Sequence, residues 1–299
     1  MSIPESQLET WTKQGSIQQS STTYGAIKAV LEDINTPFAG NIDVYLQGSY
    51  GNHTNVYGVE SDVDIVCCLN SAFQYDLSAM TDAAKANFET THPGSAPYGF
   101  AAFKADVTAH LKKAYGSDVS FGSKALRIQA NGYRRNADVL PCMDFRRYGQ
   151  NSNGNDGTYS EGIYFVKADG TRVNNFPIQH YENCVAKHQA AKRFFKPTVR
   201  IFKNMRNRLT AHEIIKPGSA PSYFVEGMLW NVPDELFDAS YSATVQACLA
   251  WLKVADSTKL ACANDLYWLI RENSEVCWNK ADYDAFRAAC QDLWDNWYE

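Results

Sequence analysis

Asp62 and Asp64 stand two residues apart at the head of the apolar run Val63–Leu69. Residues i and i+2 of an extended strand face the same side, so both carboxylates leave one face. Carboxylates held that close repel, and they are comfortable only when a divalent cation or a shared proton neutralises them. All-oxygen donors suit Mg²⁺ or Mn²⁺, which keep several waters and take substrate phosphates as further ligands. Gly48-Ser49, at the end of the strand-like segment Ile42–Gln47, offers backbone N–H groups and a hydroxyl in a tight turn, the chemistry of a phosphate cradle. A third carboxylate, Asp138 in Arg134-Arg-Asn-Ala-Asp-Val-Leu-Pro141, lies on another candidate strand. Three inward carboxylates on adjacent strands can hold two ions about 4 Å apart, one activating an attacking hydroxyl and the other steadying a triphosphate leaving group.

Charge of the opposite sign is concentrated elsewhere. Residues 187–208 hold eight basic side chains (Lys187, Lys192, Arg193, Lys196, Arg200, Lys203, Arg206, Arg208) and no acidic one. Pro197 fits the first turn of a helix there, with Arg200, Lys203 and Asn207 on one face. A solvated helix face normally mixes both signs, so part of this stretch is expected to line an anion-binding cleft. His180, Cys184 and His188 recur at i, i+4 and i+8, but one helix rarely supplies three zinc ligands, and a structural reading is preferred. Gly116…Gly122-Ser-Lys124 has the wrong spacing for a phosphate-binding loop of the Walker type, with Lys after Ser. The aromatic carboxyl end (Trp294, Trp297, Tyr298) reads as packing for a terminal helix before Glu299.

The elements that must position these groups follow from periodicity. Helix is expected over 5–34, 75–90 and 98–115, the last closed by Gly116, with Gly15 and Gly25 weakening the first. Strands are expected over Ile42–Gln47, Val63–Leu69, Lys124–Gln129, Asp138–Phe145 and Ile163–Val166, with Val63–Leu69 central in its sheet. Residues 149–160 read as loop, and from about 178 the pattern is helical almost to the end, broken at Pro197, Pro217, Pro221 and Pro233. An α+β half followed by a helical half implies two lobes with a cleft, cut here at 1–180 and 181–299. The 299 residues are 45% hydrophobic and 20% charged with net charge −5, which excludes a largely disordered chain and argues against DNA or any broad nucleic-acid partner. No apolar run approaches the roughly 18 residues of a membrane span. The amino terminus resembles no secretory signal, and eight cysteines without a CxxC pair suggest reduced thiols in a cytoplasmic protein.

Gly48-Ser49 with Asp62-x-Asp64 and a distal Asp138 resembles the signature of polymerase-β-type nucleotidyltransferases. Its extended form is similar to the bacterial CD-NTases (cGAS/DncV-like nucleotidyltransferases), and to their clade E, the CdnE-like enzymes. The blocks that carry this are Pro4-Glu-Ser-Gln-Leu, Tyr45-Leu-Gln-Gly-Ser-Tyr50, His180-Tyr-Glu-Asn183, Lys196-Pro-Thr-Val-Arg-Ile-Phe-Lys203-Asn and Pro221-Ser-Tyr-Phe-Val-Glu226. The resemblance implies an α+β nucleotidyltransferase lobe with a mixed sheet, an N-terminal bracing helix and a C-terminal helical lobe. It implies a synthase that joins nucleoside triphosphates, releases pyrophosphate and closes a cyclic di- or oligonucleotide. Asp62, Asp64 and Asp138 would be the catalytic and metal-binding residues, with two Mg²⁺ or Mn²⁺ ions. Gly48, Ser49, Lys203 and Ser222 would bind the triphosphate, and Tyr223 would stack on the base. Val173-Asn-Asn-Phe-Pro177 resembles a loop in which Asn reads a pyrimidine edge, which makes Asn175 the candidate, Asn174 the second, and a UTP-derived product such as c-di-UMP or cyclic UMP-AMP the expectation. The resemblance further implies a monomer acting in anti-phage signalling beside an effector that binds the product. A tRNA-tailing or antibiotic-modifying nucleotidyltransferase, a purine-specific synthase and a nucleotide-binding regulator without turnover are the alternatives.

Overall fold

The computed structural model describes residues 2–15, 17–57, 62–153, 158–238 and 240–297. Part of the expected 149–160 loop (154–157), Tyr298 and Glu299 lie outside the described residues. In chain order the first elements are α1 Glu5–Trp11, α2 Ile17–Leu31, β1 Ile42–Leu46, α3 Gly48–Gly51, β2 Val63–Asp76, α4 Asp82–Thr91 and α5 Phe100–Tyr115. Strands β3 Val119–Phe121, β4 Leu126–Ile128, β5 Ala137–Tyr148, β6 Tyr159–Val166 and β7 Arg172–Asn175 follow. Helices α6 Pro177–Ala190, α7 Phe195–Ala211, α8 Ser222–Trp230, α9 Tyr241–Val254 and α10 Lys280–Asp295 complete the chain. Among the described residues no helix is long and apolar enough to cross a membrane. The architecture is α+β, a mixed sheet with a C-terminal helical part, as expected.

The chain divides into two compact units that interleave in sequence, where composition suggests a single cut at 180. One comprises Gln18–Gln47 and Asp62–Ile178, the other Met1–Ile17, Gly48–Ser61 and Gln179–Glu299. The first holds the whole sheet, in the order β1-β2-β5-β4-β3, with β6 paired to β5 and β7 to β6. β2 lies between β1 and β5, and Val63 and Ile65–Leu69 are all buried, as the apolar run requires of a central strand. β5 runs parallel to β2 and is shared on its other side, first by β4 and then by β6. α5 buries Phe103, Val107 and Leu111, one stripe at helical spacing, and ends at Gly116 with φ +58°. Helix does not begin at 75 as expected: β2 continues past a register shift to Asp76, and α4 starts at Asp82 behind the Thr81 cap.

The second unit is helical. α7 buries Val199, Phe202, Met205 and Leu209, and α10 buries Tyr283, Phe286, Cys290, Leu293 and Trp294, all in one hydrophobic core with α8 and α9. Glu5 fastens α1 to this unit by accepting the backbone N–H groups of Tyr241 and Ser242, each at 2.7 Å, at the start of α9. The expectation of helix almost to the end fails over 255–279. That stretch holds one short 3₁₀ turn, Ser257–Lys259, and two isolated bridges, Ala261–Trp268 and Ile270–Trp278. All eight cysteines are free, and seven are buried.

The single helix expected over 5–34 is broken between Trp11 and Ile17. Gly15 explains the break: its N–H donates to the Asn55 carbonyl at 3.3 Å, and a Cβ there would meet the Val56 carbonyl oxygen at 2.5 Å. Gly25 sits inside α2 with nothing within 4 Å of such an atom. Gly15→Ala should therefore destabilise the protein by about 1–3 kcal/mol through forced backbone movement. Gly25→Ala should be neutral or stabilise by up to about 1 kcal/mol. Chemical denaturation of both variants checks the contrast.

Candidate active site

The sheet unit assembles the carboxylates. The parallel register sets Asp64 opposite Asp138, and the antiparallel register of β4 sets Arg127 opposite Asp138 on its other side. Neighbouring strands lie about 4.8 Å apart, so Asp64, Asp138 and Arg127 form a row across three strands. Asp62 immediately precedes β2, two residues before Asp64. Arg127 spans two of the acids, with Nε 3.6 Å from Asp138 Oδ1 and an Nη 3.7 Å from Asp62 Oδ2. Burial, and then the charge of Asp62, raise the pKa of Asp138, while Arg127 and Lys124 pull it down.

Magnitudes decide whether this set suits a metal. Two carboxylates about 5 Å apart repel by roughly 3 kcal/mol at an effective dielectric near 20. Arg127 is 56% exposed, and an exposed ion pair contributes only about 0.2–1 kcal/mol. This guanidinium therefore offsets only part of the repulsion between Asp62 and Asp138. Three carboxylates of hard oxygen donors in surplus fit divalent Mg²⁺ or Mn²⁺.

The helical unit holds a basic pocket of about 650 Å³. Lys203, Arg206 and Lys216 line it with the hydroxyl groups of Ser49, Thr54 and Ser222, and among the described residues no carboxylate does. Three of the residues assigned from sequence to nucleotide binding, Ser49, Lys203 and Ser222, thus meet in one pocket. Gly48 opens α3 with φ +65°, a left-handed conformation that favours glycine, so the expected tight turn is one short helical turn. Arg206 donates to Ser222 Oγ at 3.2 Å and to the Ala220 carbonyl at 3.1 Å. Of the other basic residues in the stretch, Arg200 is committed to the carbonyls of Thr12 and His53, and Lys187 pairs with Asp234. A second cavity, about 360 Å³ in the sheet unit, has the opposite character: Glu32, Asp43, Asp144 and Glu161 outnumber Lys28.

Behind the basic pocket lies a buried charge cluster. Glu226 accepts from Lys203 Nζ at 2.6 Å, His180 Nε2 at 2.7 Å, Asn52 Nδ2 at 2.8 Å and the Thr54 hydroxyl. Lys203 also donates to Thr54 Oγ1 at 2.8 Å. Burial opposes charge on every member. Lys203 and His180 nevertheless hold Glu226 well below the ordinary carboxylate range, and Cys184 and Glu226 hold His180 up at about 10. His180, Cys184 and Glu226 present potential ligand atoms within 4.8 Å of one another. The Lys203 ammonium on the same carboxylate marks the group as an ion-pair network, and His188 departs to accept the Lys196 N–H at 3.3 Å.

Tyr223 stacks on His180 with centroids 4.7 Å apart and planes 20° from parallel, and its hydroxyl accepts from Asn264 Nδ2 at 3.0 Å. One ring face is therefore already covered. Asn175 ends β7, where its Oδ1 accepts the Phe176 N–H at 2.9 Å. Arg127 and Glu226 escape functional assignment from sequence. Arg127 becomes visible only through the β4–β5 register. Glu226 leaves a weak signal, a lone carboxylate in the apolar run of Ser222–Trp230, which in a buried helix demands a partner.

Residues 182–295 match the family described as cGAS/DncV-like nucleotidyltransferase C-terminal helical domain. The cyclic UMP-AMP synthase of Rhodothermus marinus is 38% identical over 303 residues, 99% of this chain and 99% of that protein. The cyclic nucleotide synthase CdnE01 of Staphylococcus haemolyticus is 34% identical, covering 99% of this chain and 100% of that protein. The structure of the Rhodothermus marinus CdnE c-UMP-AMP synthase with Apcpp and Upnpp superposes with a TM-score of 0.88 at 36% identity, over 99% of this chain and 98% of that one.

Arg127→Ala should lower the metal-free melting temperature slightly, by the equivalent of about 0.2–1 kcal/mol. It should also enlarge the rise in melting temperature on adding Mg²⁺, because Asp62 and Asp138 lose the guanidinium that lies against both. Thermal melts of wild type and variant with and without Mg²⁺ check both.

Proposed function

We propose that this chain, which belongs to the CdnE-like group of the cGAS/DncV-like nucleotidyltransferases, is a synthase of a cyclic dinucleotide containing uridine. Membership makes it a nucleotidyltransferase. The observation that carries the mechanism is the register that sets Asp64 beside Asp138, two residues after Asp62. These three carboxylates would hold two divalent ions, Mg²⁺ or Mn²⁺. When bound, such ions lower the pKa of an attacking hydroxyl and neutralise charge on the departing pyrophosphate.

The remaining roles belong to the chain's own groups. Asp138 is the carboxylate assigned to the 2′- or 3′-hydroxyl that attacks. Lys203, Arg206 and Lys216, with Ser49, Thr54 and Ser222, are the donors for a triphosphate, since a pocket lined by three cations favours a polyanion. Tyr223 offers a base its ring, with His180 backing the other face. Asn175 has its Oδ1 engaged by Phe176, so its Nδ2 donors are the part of the amide left to meet a pyrimidine carbonyl. The name of the Rhodothermus marinus relative supports UTP together with ATP as the substrates. By the same family reading the product is a second messenger in anti-phage defence, received by a product-binding effector, and the enzyme works as a cytoplasmic monomer.

Incubation with all four nucleoside triphosphates and Mg²⁺, then phosphatase treatment and mass spectrometry, tests the reaction. A phosphatase-resistant dinucleotide containing uridine is expected; labelled tRNA or a modified small-molecule acceptor would overturn cyclisation. The double variant Asp62→Asn, Asp64→Asn should yield no product while still melting cooperatively, and full activity in it would reject the carboxylate assignment. Asn175→Ser should shift nucleotide usage from UTP toward purines, read by competition among the four triphosphates. Unchanged UTP preference would reject that role.

A further inference from the structure

Two walls of the basic pocket come from segments far apart in sequence. One is α7, which contributes Lys203; the other is the stretch around α3, which contributes Ser49 and Thr54. Both are tied to one carboxylate, Glu226 of α8, which does not line the pocket. Lys203 is 1% exposed and Glu226 2% exposed. A cation that deeply buried keeps its charge only beside a counter-ion, and a side chain that long keeps one orientation only when its ammonium is anchored.

The bonding at Lys203 is economical. Two of its three N–H groups are engaged, one by Glu226 Oε1 at 2.6 Å and one by Thr54 Oγ1 at 2.8 Å. Thr54 in turn gives its hydroxyl proton to Glu226, and so turns an oxygen lone pair toward Lys203. The neighbouring Asn52 Nδ2 fixes the same strip of chain to the other carboxylate oxygen at 2.8 Å. His180 completes the set from α6. The carboxylate thus holds the height of Lys203 and the position of residues 52–54 at once.

We propose that Glu226 is a positioning residue for triphosphate binding: it keeps Lys203 charged and aligned with Thr54, so that the pocket meets a triphosphate already assembled. This rests on the reading that the pocket takes the triphosphate of the substrate. Glu226 touches no substrate, and its effect passes through Lys203 and Thr54.

The full chain is compared as wild type, Glu226→Gln, Glu226→Asp and Lys203→Met. Calorimetry measures binding of inorganic tripolyphosphate, steady-state kinetics gives KM for UTP and kcat, and thermal melts report folding. Glu226→Gln that still melts cooperatively should bind tripolyphosphate at least tenfold more weakly and raise KM by a similar factor, with kcat changed less than threefold. Glu226→Asp, which keeps the charge but draws it back by one methylene, should recover only part of the affinity and leave KM about threefold above the wild type. A purely structural role would lower the melting temperature without separating KM from kcat or being rescued by charge. If Glu226→Gln does not fold, Glu226→Asp decides: raised KM at near-normal kcat supports the proposal, and wild-type KM overturns it. Wild-type affinity in folded Glu226→Gln, beside lost affinity in Lys203→Met, overturns the role of Glu226 alone. Wild-type protein that binds no tripolyphosphate overturns the pocket reading and the proposal with it.

Discussion

Like charges brought together by backbone pairing are the constraint around which the sheet unit is organised. The β2–β5 ladder places Asp64 against Asp138, and a slip of one residue would turn either carboxylate to the opposite face. That register must be held against repulsion, which explains the character of the strands. β2 lies between two neighbours with Val63 and Ile65–Leu69 buried, so its apolar side chains resist any slip that would move them into water. β5 is gripped along both edges, by β2 on one and by β4 and then β6 on the other. The acids sit where the ladder begins, at Asp62, Asp64 and Asp138, with the rest of both strands as the brace.

The helical unit solves the converse problem. Its pocket concentrates Lys203, Arg206 and Lys216, and a bare set of cations would repel as the carboxylates do. Glu226 meets this from within the core, where it accepts from two cationic side chains, an amide and a hydroxyl. Replacing a buried ion pair by apolar residues is often neutral for stability, whereas removing one partner is strongly destabilising. Retention of such a network beside a polyanion pocket therefore reads as a device for geometry more than for stability.

How much of this was legible in the sequence follows the range of the interactions. Asp62 and Asp64 are related by strand alternation, a local rule, and the strand carrying Asp138 announces itself by its apolar neighbours. The stripe of α5 and its glycine stop are local as well. The break at Gly15 depends on Val56, some forty residues away, and α4 starts late because β2 outruns its apolar run through a register shift. β3 and β7 are too short to show periodicity, and 255–279 is apolar enough to imitate helix while folding as turns and bridges. Arg127 and Glu226 acquire meaning only from partners on other elements. The charge of Lys203 is visible in the sequence, but its partner lies in a helix that reads as core.

The interleaving of the two units has a consequence for synthesis of the chain. When residues up to Ile178 have emerged, every strand of the sheet is present. Glu5 at that moment lacks Tyr241 and Ser242, while Asn52 and Thr54 lack a carboxylate 174 and 172 positions downstream. Glu5, Asn52 and Thr54 therefore wait for these partners until the last helices leave the ribosome. Contacts of such sequence separation are slow to form, because loop closure must precede any gain from them. The basic pocket is consequently among the last features of the molecule to be built, and a truncated chain with an intact sheet carries the acids without it.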